Sequence, residues 1–97
     1  MVSLQAVYTR DDNMVFRRIG EEMILVPIRR RTADLESIYT LNDTGAFIWE
    51  QLDGQRTLAE VRDALVAEYE VTPEEAEADV LEFVTNLVEA QGVRAVA

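Results

Sequence analysis

The chain has 97 residues, 48% of them apolar, and its 19 acidic side chains against nine arginines give a formal net charge of −10. It contains no Cys and no His, which excludes disulfides, zinc–thiolate sites, thiol nucleophiles and His general bases. The length predicts one domain spanning residues 1–97. No apolar run approaches the roughly 18 residues of a membrane helix, and no signal segment is evident, so we expect a soluble, cytoplasmic protein.

The charge is concentrated in the second part of the chain. Residues 1–41 hold six arginines and six acidic residues, whereas residues 42–97 hold three arginines and thirteen acidic residues. A phosphate backbone is bound mainly by Lys and Arg. The composition therefore predicts a protein that does not bind nucleic acid.

The first part of the chain has the pattern of a small sheet. Residues 1–13 alternate weakly and are either a loose terminus or an extra strand. Residues 14–19 and the apolar run at residues 23–28 predict two strands joined by a turn at Gly20. Proline cannot donate a backbone hydrogen bond to a sheet, so we expect regular pairing to fail near Pro27.

A charged loop follows the second predicted strand, and it begins with Arg29, Arg30 and Arg31. It is too long for a two-residue hairpin turn. One interpretation is a solvated surface loop. The other is an electropositive rim that attracts acidic side chains of a partner.

Residues 37–41 are rich in β-branched and aromatic side chains and predict the third strand. Asn42 or Asp43 can then cap a helix. We expect this helix to end at Gly54, where glycine can adopt the left-handed conformation. Its apolar face contains a close-approach glycine and side chains that we assign to the core, namely Gly45, Ile48, Trp49 and Leu52.

Two further helices are predicted after Gly54. Thr57 and Glu60 form a capping-box pattern, and Thr72 followed by Pro73 is a second helix start. The last helix is expected to end at Gly92. Its apolar residues cover a wide arc, which predicts packing on two sides, while Asp79 and Glu82 are interpreted as solvated helix surface.

The order of these elements predicts an α+β fold that is winged-helix-like, with a three-stranded antiparallel sheet followed by three helices. No nucleophile lies beside a base, no Gly-rich phosphate loop is present, and the acidic residues after Pro73 are explained by the helix dipole. We therefore expect no enzyme activity, no cofactor and no metal site.

The sequence resembles the coenzyme PQQ synthesis protein D (PqqD) family. The resemblance covers about residues 14–93 and rests on an ordered set of residues: Leu41-Asn42, Ile48-Trp49, Asp53-Gly54, Thr57, Val61, Asp79-Val80, Phe83, Leu87 and Gly92. The second half is similar to the stand-alone members that accompany lasso-peptide leader proteases. After Pro27 the chain differs from PQQ-type members, because three arginines replace a short acidic-glycine turn.

This resemblance implies a non-catalytic RiPP recognition element. Such domains bind the leader segment of a ribosomally made precursor peptide and present it to a radical-SAM enzyme, a leader protease or a cyclase. A peptide could add to the third strand if that strand is an edge. The residues that we expect at the edge are Ser37, Ile38, Tyr39, Thr40 and Leu41.

We also expect a row on the last helix to face the open side of the third strand. This row contains Leu81, Val84 and Val88, with Thr85 beside it, and Arg29, Arg30 and Arg31 would attract acidic leader residues at the rim. Two alternatives remain at this point. One is a winged-helix DNA-binding regulator, which the topology favours and the charge opposes, and the other is a structural subunit of a partner enzyme.

Overall fold

The computed structural model describes residues 2–28 and 39–96. Within these ranges the chain forms six strands and three helices. In chain order they are β1 (Val7–Arg10), β2 (Met14–Ile19), β3 (Glu22–Pro27), β4 (Tyr39–Leu41), α1 (Asp43–Gln51), β5 (Asp53–Thr57), α2 (Leu58–Glu68), α3 (Pro73–Glu89) and β6 (Val93–Ala95).

The predicted antiparallel sheet is present, in the strand order β2-β3-β4. β2 pairs with β3 from Met14 opposite Pro27 to Ile19 opposite Glu22. β3 pairs with β4 from Met23 opposite Leu41 to Leu25 opposite Tyr39. The α+β prediction with three helices after this sheet is confirmed.

Pairing continues as far as Pro27, which is the last residue of β3. A proline is tolerated there because no further donation to the ladder is needed at a strand end. The next residue returns to the partner strand, since the Ile28 amide donates to the Asn13 carbonyl at 2.8 Å. Pairing with β2 is therefore regular up to Pro27, and the expected failure near this residue is not observed on the β2 side.

A second three-stranded sheet has the order β5-β1-β6 and was not predicted as a sheet. β1 is its central strand and runs antiparallel to both neighbours. α1 ends at Gln51, so the prediction of a helix end at Gly54 is wrong. Gly54 does adopt the left-handed conformation, with φ of 80°, but it lies within β5, where the pairing with β1 is irregular.

The predicted helix starts are confirmed. The Asn42 side chain accepts a hydrogen bond from the Gly45 amide, and Thr57 with Glu60 forms a complete capping box. Thr72 forms the same box at the start of α3, with Glu75 as its partner. Each box satisfies backbone amides that have no partner inside the helix.

The end of α3 differs from the prediction. The helix ends at Glu89 rather than at Gly92, and Gln91, with φ of 60°, adopts the left-handed conformation after its end. Position 92 requires glycine because a larger residue would collide with neighbouring side chains. A Cβ there would lie 3.0 Å from Met14 Cγ and 3.1 Å from Leu87 Cδ2.

The core lies between the sheets and the helices. α3 contacts α1, α2 and β6, and its buried residues Ala76, Val80, Val84 and Leu87 lie on one face, so the expected packing on two sides stays a prediction. Trp49 is 5% exposed and belongs to the core, as expected. The fully buried larger side chains are Leu25, Ile48, Leu52, Leu58, Leu65, Leu87, Val61, Val80 and Val84. None of the helices in the described ranges has the length and apolar character needed to cross a bilayer.

Candidate functional site

β4 is an edge strand of the sheet that the described residues form, because it pairs with β3 on one side and with no described strand on the other. Its three residues alternate in burial. Leu41 is buried, Tyr39 is half-buried against the core, and Thr40 is exposed. An edge strand of this kind presents backbone donors and acceptors to an incoming extended chain. Ser37 and Ile38, which were predicted to extend this edge, lie outside the described residues.

A cavity of about 190 Å³ lies beyond the carboxyl end of β4. It separates the first turn of α1 from one face of α3, and we call it the α1–α3 cavity. It is lined by Asn42, Thr44, Gly45, Ile48, Asp79, Glu82, Phe83 and Asn86. The open edge of β4 and this cavity together form the candidate site.

Asn42 and Gly45 position the α1 wall of the cavity. The Asn42 Oδ1 atom accepts hydrogen bonds from the Gly45 amide at 2.8 Å and from the Thr44 hydroxyl at 3.0 Å. A Cβ at Gly45 would lie 3.5 Å from Phe83 Cε1 and 3.6 Å from Leu41 Cδ2. The cap fixes the start of α1 directly after β4, and the missing side chain brings that start close to α3.

The α3 wall is one continuous helix face. Its residues are spaced three and four apart along α3, which places them on the same side of the helix. We call this the cavity face, and it consists of Asp79, Glu82, Phe83 and Asn86. Phe83 is half-buried, and the other three side chains are exposed. The cavity face therefore offers one aromatic ring flanked by two carboxylates and an amide.

The structure does not bring the predicted row on α3 to this cavity. Successive residues are rotated by about 100° around a helix axis, so Leu81, Thr85 and Val88 point to the side of α3 turned away from the cavity face. Leu81 lines a separate pocket of about 370 Å³ beside Pro73. Val84 belongs to the core, since it is 0% exposed, and Val88 is 40% exposed.

Sequence reasoning missed the cavity face for an identifiable reason. Phe83 was counted among the apolar residues that cover a wide arc of the last helix, and Asp79 and Glu82 were treated as solvated surface. The available signal was Gly45, whose close approach to another element was predicted without identifying the partner. That partner is Phe83. Arg29, Arg30 and Arg31 lie outside the described residues, so their role at the rim stays a prediction.

The titration behaviour of the described residues comes from capping and surface contacts. The Thr72 backbone amide holds the pKa of Glu75 below its ordinary value, and the Gln55 amide does the same for Asp53. Hydrogen bonds to Asp63 and Glu77 raise the pKa of Arg62. Within the described ranges, no group of three or more acidic side chains is arranged to hold a metal ion.

Comparison with known proteins gives one family and two structures. The family model described as coenzyme PQQ synthesis protein D (PqqD) matches residues 22–93. A structure of TbiB1 in complex with the TbiA(beta) leader peptide is similar, with a TM-score of 0.70 and 26% identity over 92% of this chain and 98% of that chain. A structure of lasso peptide synthetase B1 complexed with the leader peptide has a TM-score of 0.69 and 29% identity, over 93% and 98%. A search of the curated proteins finds no match.

Proposed function

Since this chain belongs to the coenzyme PQQ synthesis protein D (PqqD) family, we propose that it binds the leader segment of a ribosomally synthesised precursor peptide. In this role the protein is a non-catalytic peptide chaperone. It holds the leader and presents the precursor to a modifying enzyme, which is a leader protease, a cyclase or a radical-SAM enzyme.

The open edge of β4 beside the α1–α3 cavity is the observation that carries this proposal. An extended peptide gains main-chain hydrogen bonds by pairing with an exposed strand, and its alternate side chains enter neighbouring pockets. β4 supplies the backbone partner, while α1 and α3 supply the pocket. Both similar structures are complexes with leader peptides, which supports the same kind of ligand for this chain.

The proposed contact surface combines predicted residues with the cavity face. Tyr39, Thr40 and Leu41 provide the pairing edge, and we extend it back through Ser37 and Ile38. On α3 the contact is assigned to the cavity face rather than to the row of Leu81, Thr85 and Val88, because only the cavity face adjoins the end of β4. In this role Arg29, Arg30 and Arg31 form the rim that attracts acidic leader residues.

Hydrogen exchange tests the binding edge. The probes are synthetic leader segments of any short open reading frames found beside the gene, labelled with a fluorophore and first titrated by anisotropy. The peptide that binds should protect the amides of Tyr39–Leu41, while a scrambled peptide of the same composition should protect none. Protection confined to β2 and β3 would remove β4 as the pairing edge. Failure of every candidate leader to bind would contradict the proposed function itself.

A further inference from the structure

The charged side chains that line the α1–α3 cavity are all acidic. Asp79 and Glu82 lie one turn apart on α3, and none of the eight described residues that line the cavity is a Lys or an Arg. The ion pairs in the described part of the chain use other carboxylates, namely Asp11, Asp53, Asp63 and Glu77. Like charges one turn apart on a helix repel each other, and a cation between them would remove that repulsion.

The α1 wall of the cavity does not cancel the negative charge of the α3 wall. The first turn of α1 carries a partial positive charge of about half an elementary charge, as every helix amino terminus does. The Asn42 side chain already accepts from the Gly45 amide, and Asp43 adds a negative charge to the same turn. Two full carboxylates on α3 therefore outweigh the partial charge of α1, and the cavity favours a cation.

Phe83 adds a second property that suits a cation. Its half-buried ring lies on the cavity face, directly after Glu82 and one turn beyond Asp79, and it reaches across to Gly45 on α1. An aromatic face attracts ammonium and guanidinium groups and also packs against the methylene groups of a long side chain. The cavity thus has acceptors for a charged end and an apolar surface for its stem.

We infer that the α1–α3 cavity is a specificity subsite that accepts a Lys or Arg side chain of the leader peptide. This inference rests on the proposed function, because the peptide that delivers the cation is the one paired with β4. The subsite lies beyond the carboxyl end of β4, so the basic residue occupies a fixed position next to the segment that pairs with Leu41. Asp79 and Glu82 receive the charge, and Phe83 contacts the stem.

Selection from a displayed library of random peptides tests the subsite without knowledge of the natural leader. The full chain should enrich peptides that carry Lys or Arg at one fixed position. The variant with Asp79→Asn and Glu82→Gln, which keeps side-chain shape and removes both charges, should lose that preference and retain the rest of the motif. The matched control is Glu68→Gln with Glu89→Gln, because it makes the same charge change at exposed positions outside the cavity. The control should retain the basic preference.

Titration of one selected peptide then measures the coupling. Replacing its basic residue by Met should weaken binding to the unmodified chain on the order of tenfold, as expected for loss of a close charge pair. The same replacement should change binding to the Asp79→Asn and Glu82→Gln variant little. A thermal melt of each variant checks that the fold is retained.

The outcomes separate this inference from the proposed function. Enriched peptides that protect β4 but show no basic position, or that keep it in the Asp79→Asn and Glu82→Gln variant, would overturn the cation subsite and leave leader binding intact. If the library enriches no sequence and no candidate leader binds, the proposed function fails instead.

Discussion

The sheet of β2, β3 and β4 and the sheet of β5, β1 and β6 each have three antiparallel strands, but different parts of the chain build them. The first contains a local hairpin, in which β2 and β3 pair over six consecutive residues. The second joins the amino-terminal strand to a segment after α1 and to the carboxyl-terminal strand. The first sheet leaves β4 at an edge, whereas the second covers β1 on both sides.

This difference indicates that the two sheets have different structural roles. The second sheet ties distant segments together, and Arg10 extends that role by donating to the Trp49 carbonyl at 3.1 Å and the Glu50 carbonyl at 2.9 Å. The first sheet is held by its hairpin and by Leu25, so its outer strand can remain available to a ligand. Four sets of substitutions test whether the two sheets differ in this way.

The largest effect is expected from the centre of the first sheet. Leu25 is 0% exposed and lies opposite Phe16 and Tyr39. Leu25→Ala should lower the free energy of unfolding by about 2–5 kcal/mol, because it removes buried methyl groups and leaves a cavity. Urea denaturation measures the loss. Ile24→Ala, on the opposite face and only half-buried, should cost less, and equal losses would contradict the assignment of the core side of β3.

Two left-handed glycines allow the sheets to be compared, because Gly20 lies in the turn between β2 and β3 and Gly54 lies within β5. Gly20 and Gly54 both have positive φ, but a Cβ at Gly20 meets nothing within 4 Å, whereas one at Gly54 lies 3.3 Å from Thr9 Cβ. Gly20→Ala should lower the free energy of unfolding by about 1–2 kcal/mol through backbone strain alone. Gly54→Ala should lower it further through the contact with β1. Equal losses in parallel denaturation curves would mean that the second sheet accommodates the methyl group without strain.

Arg10 tests the link between the second sheet and α1. Arg10→Gln removes the charge-assisted donors to the last turn of α1 and should lower the free energy of unfolding by about 1–2 kcal/mol. Amide exchange at the carboxyl end of α1 should accelerate. Arg17→Gln, exposed on β2, makes the same charge change in the first sheet and should leave that exchange rate unaltered. Faster exchange in both variants would point to overall charge rather than to this contact.

The smallest effect on stability is expected at the start of α3, which lies outside both sheets. The Thr72 amide lowers the folded pKa of Glu75 below its ordinary value of 4.5. The unfolded chain therefore takes up the proton first on acidification. The stabilisation is complete above the unfolded pKa and is lost as the pH falls through the lowered folded pKa.

The pH dependence of thermal melting checks this assignment. Glu75→Gln should flatten the acid side of the stability curve. Glu74→Gln changes the same charge in the first turn of α3 and leaves the hydrogen bond to Thr72 in place, so it is the matched control. If both variants flatten the curve equally, the effect belongs to the helix dipole and not to the cap.

Much of the fold was predictable because the sequence patterns that indicate its strands and helix caps are local. β2 was predicted with its observed bounds, β3 within one residue at each end, and the caps at Asn42, Thr57 and Thr72 were identified from residue type and spacing. β5 was missed because Asp53–Thr57 contains no apolar residue larger than glycine that would indicate a strand. It is a strand because β1 pairs with it, and such pairing leaves no pattern within the segment.

For the candidate site, the third strand, the capped start of α1 and the acidic character of α3 could be predicted from the sequence, since each depends on neighbouring residues. The edge position of that strand depended in addition on β3 pairing in the middle of the sheet. The face of α3 that lines the cavity beyond β4 depends instead on tertiary packing. Rows one or two residues apart on a helix point in different directions, and the orientation follows from how Val80, Val84 and Leu87 fill the core. That packing turns Asp79, Glu82 and Phe83 towards the cavity and Leu81 away from it.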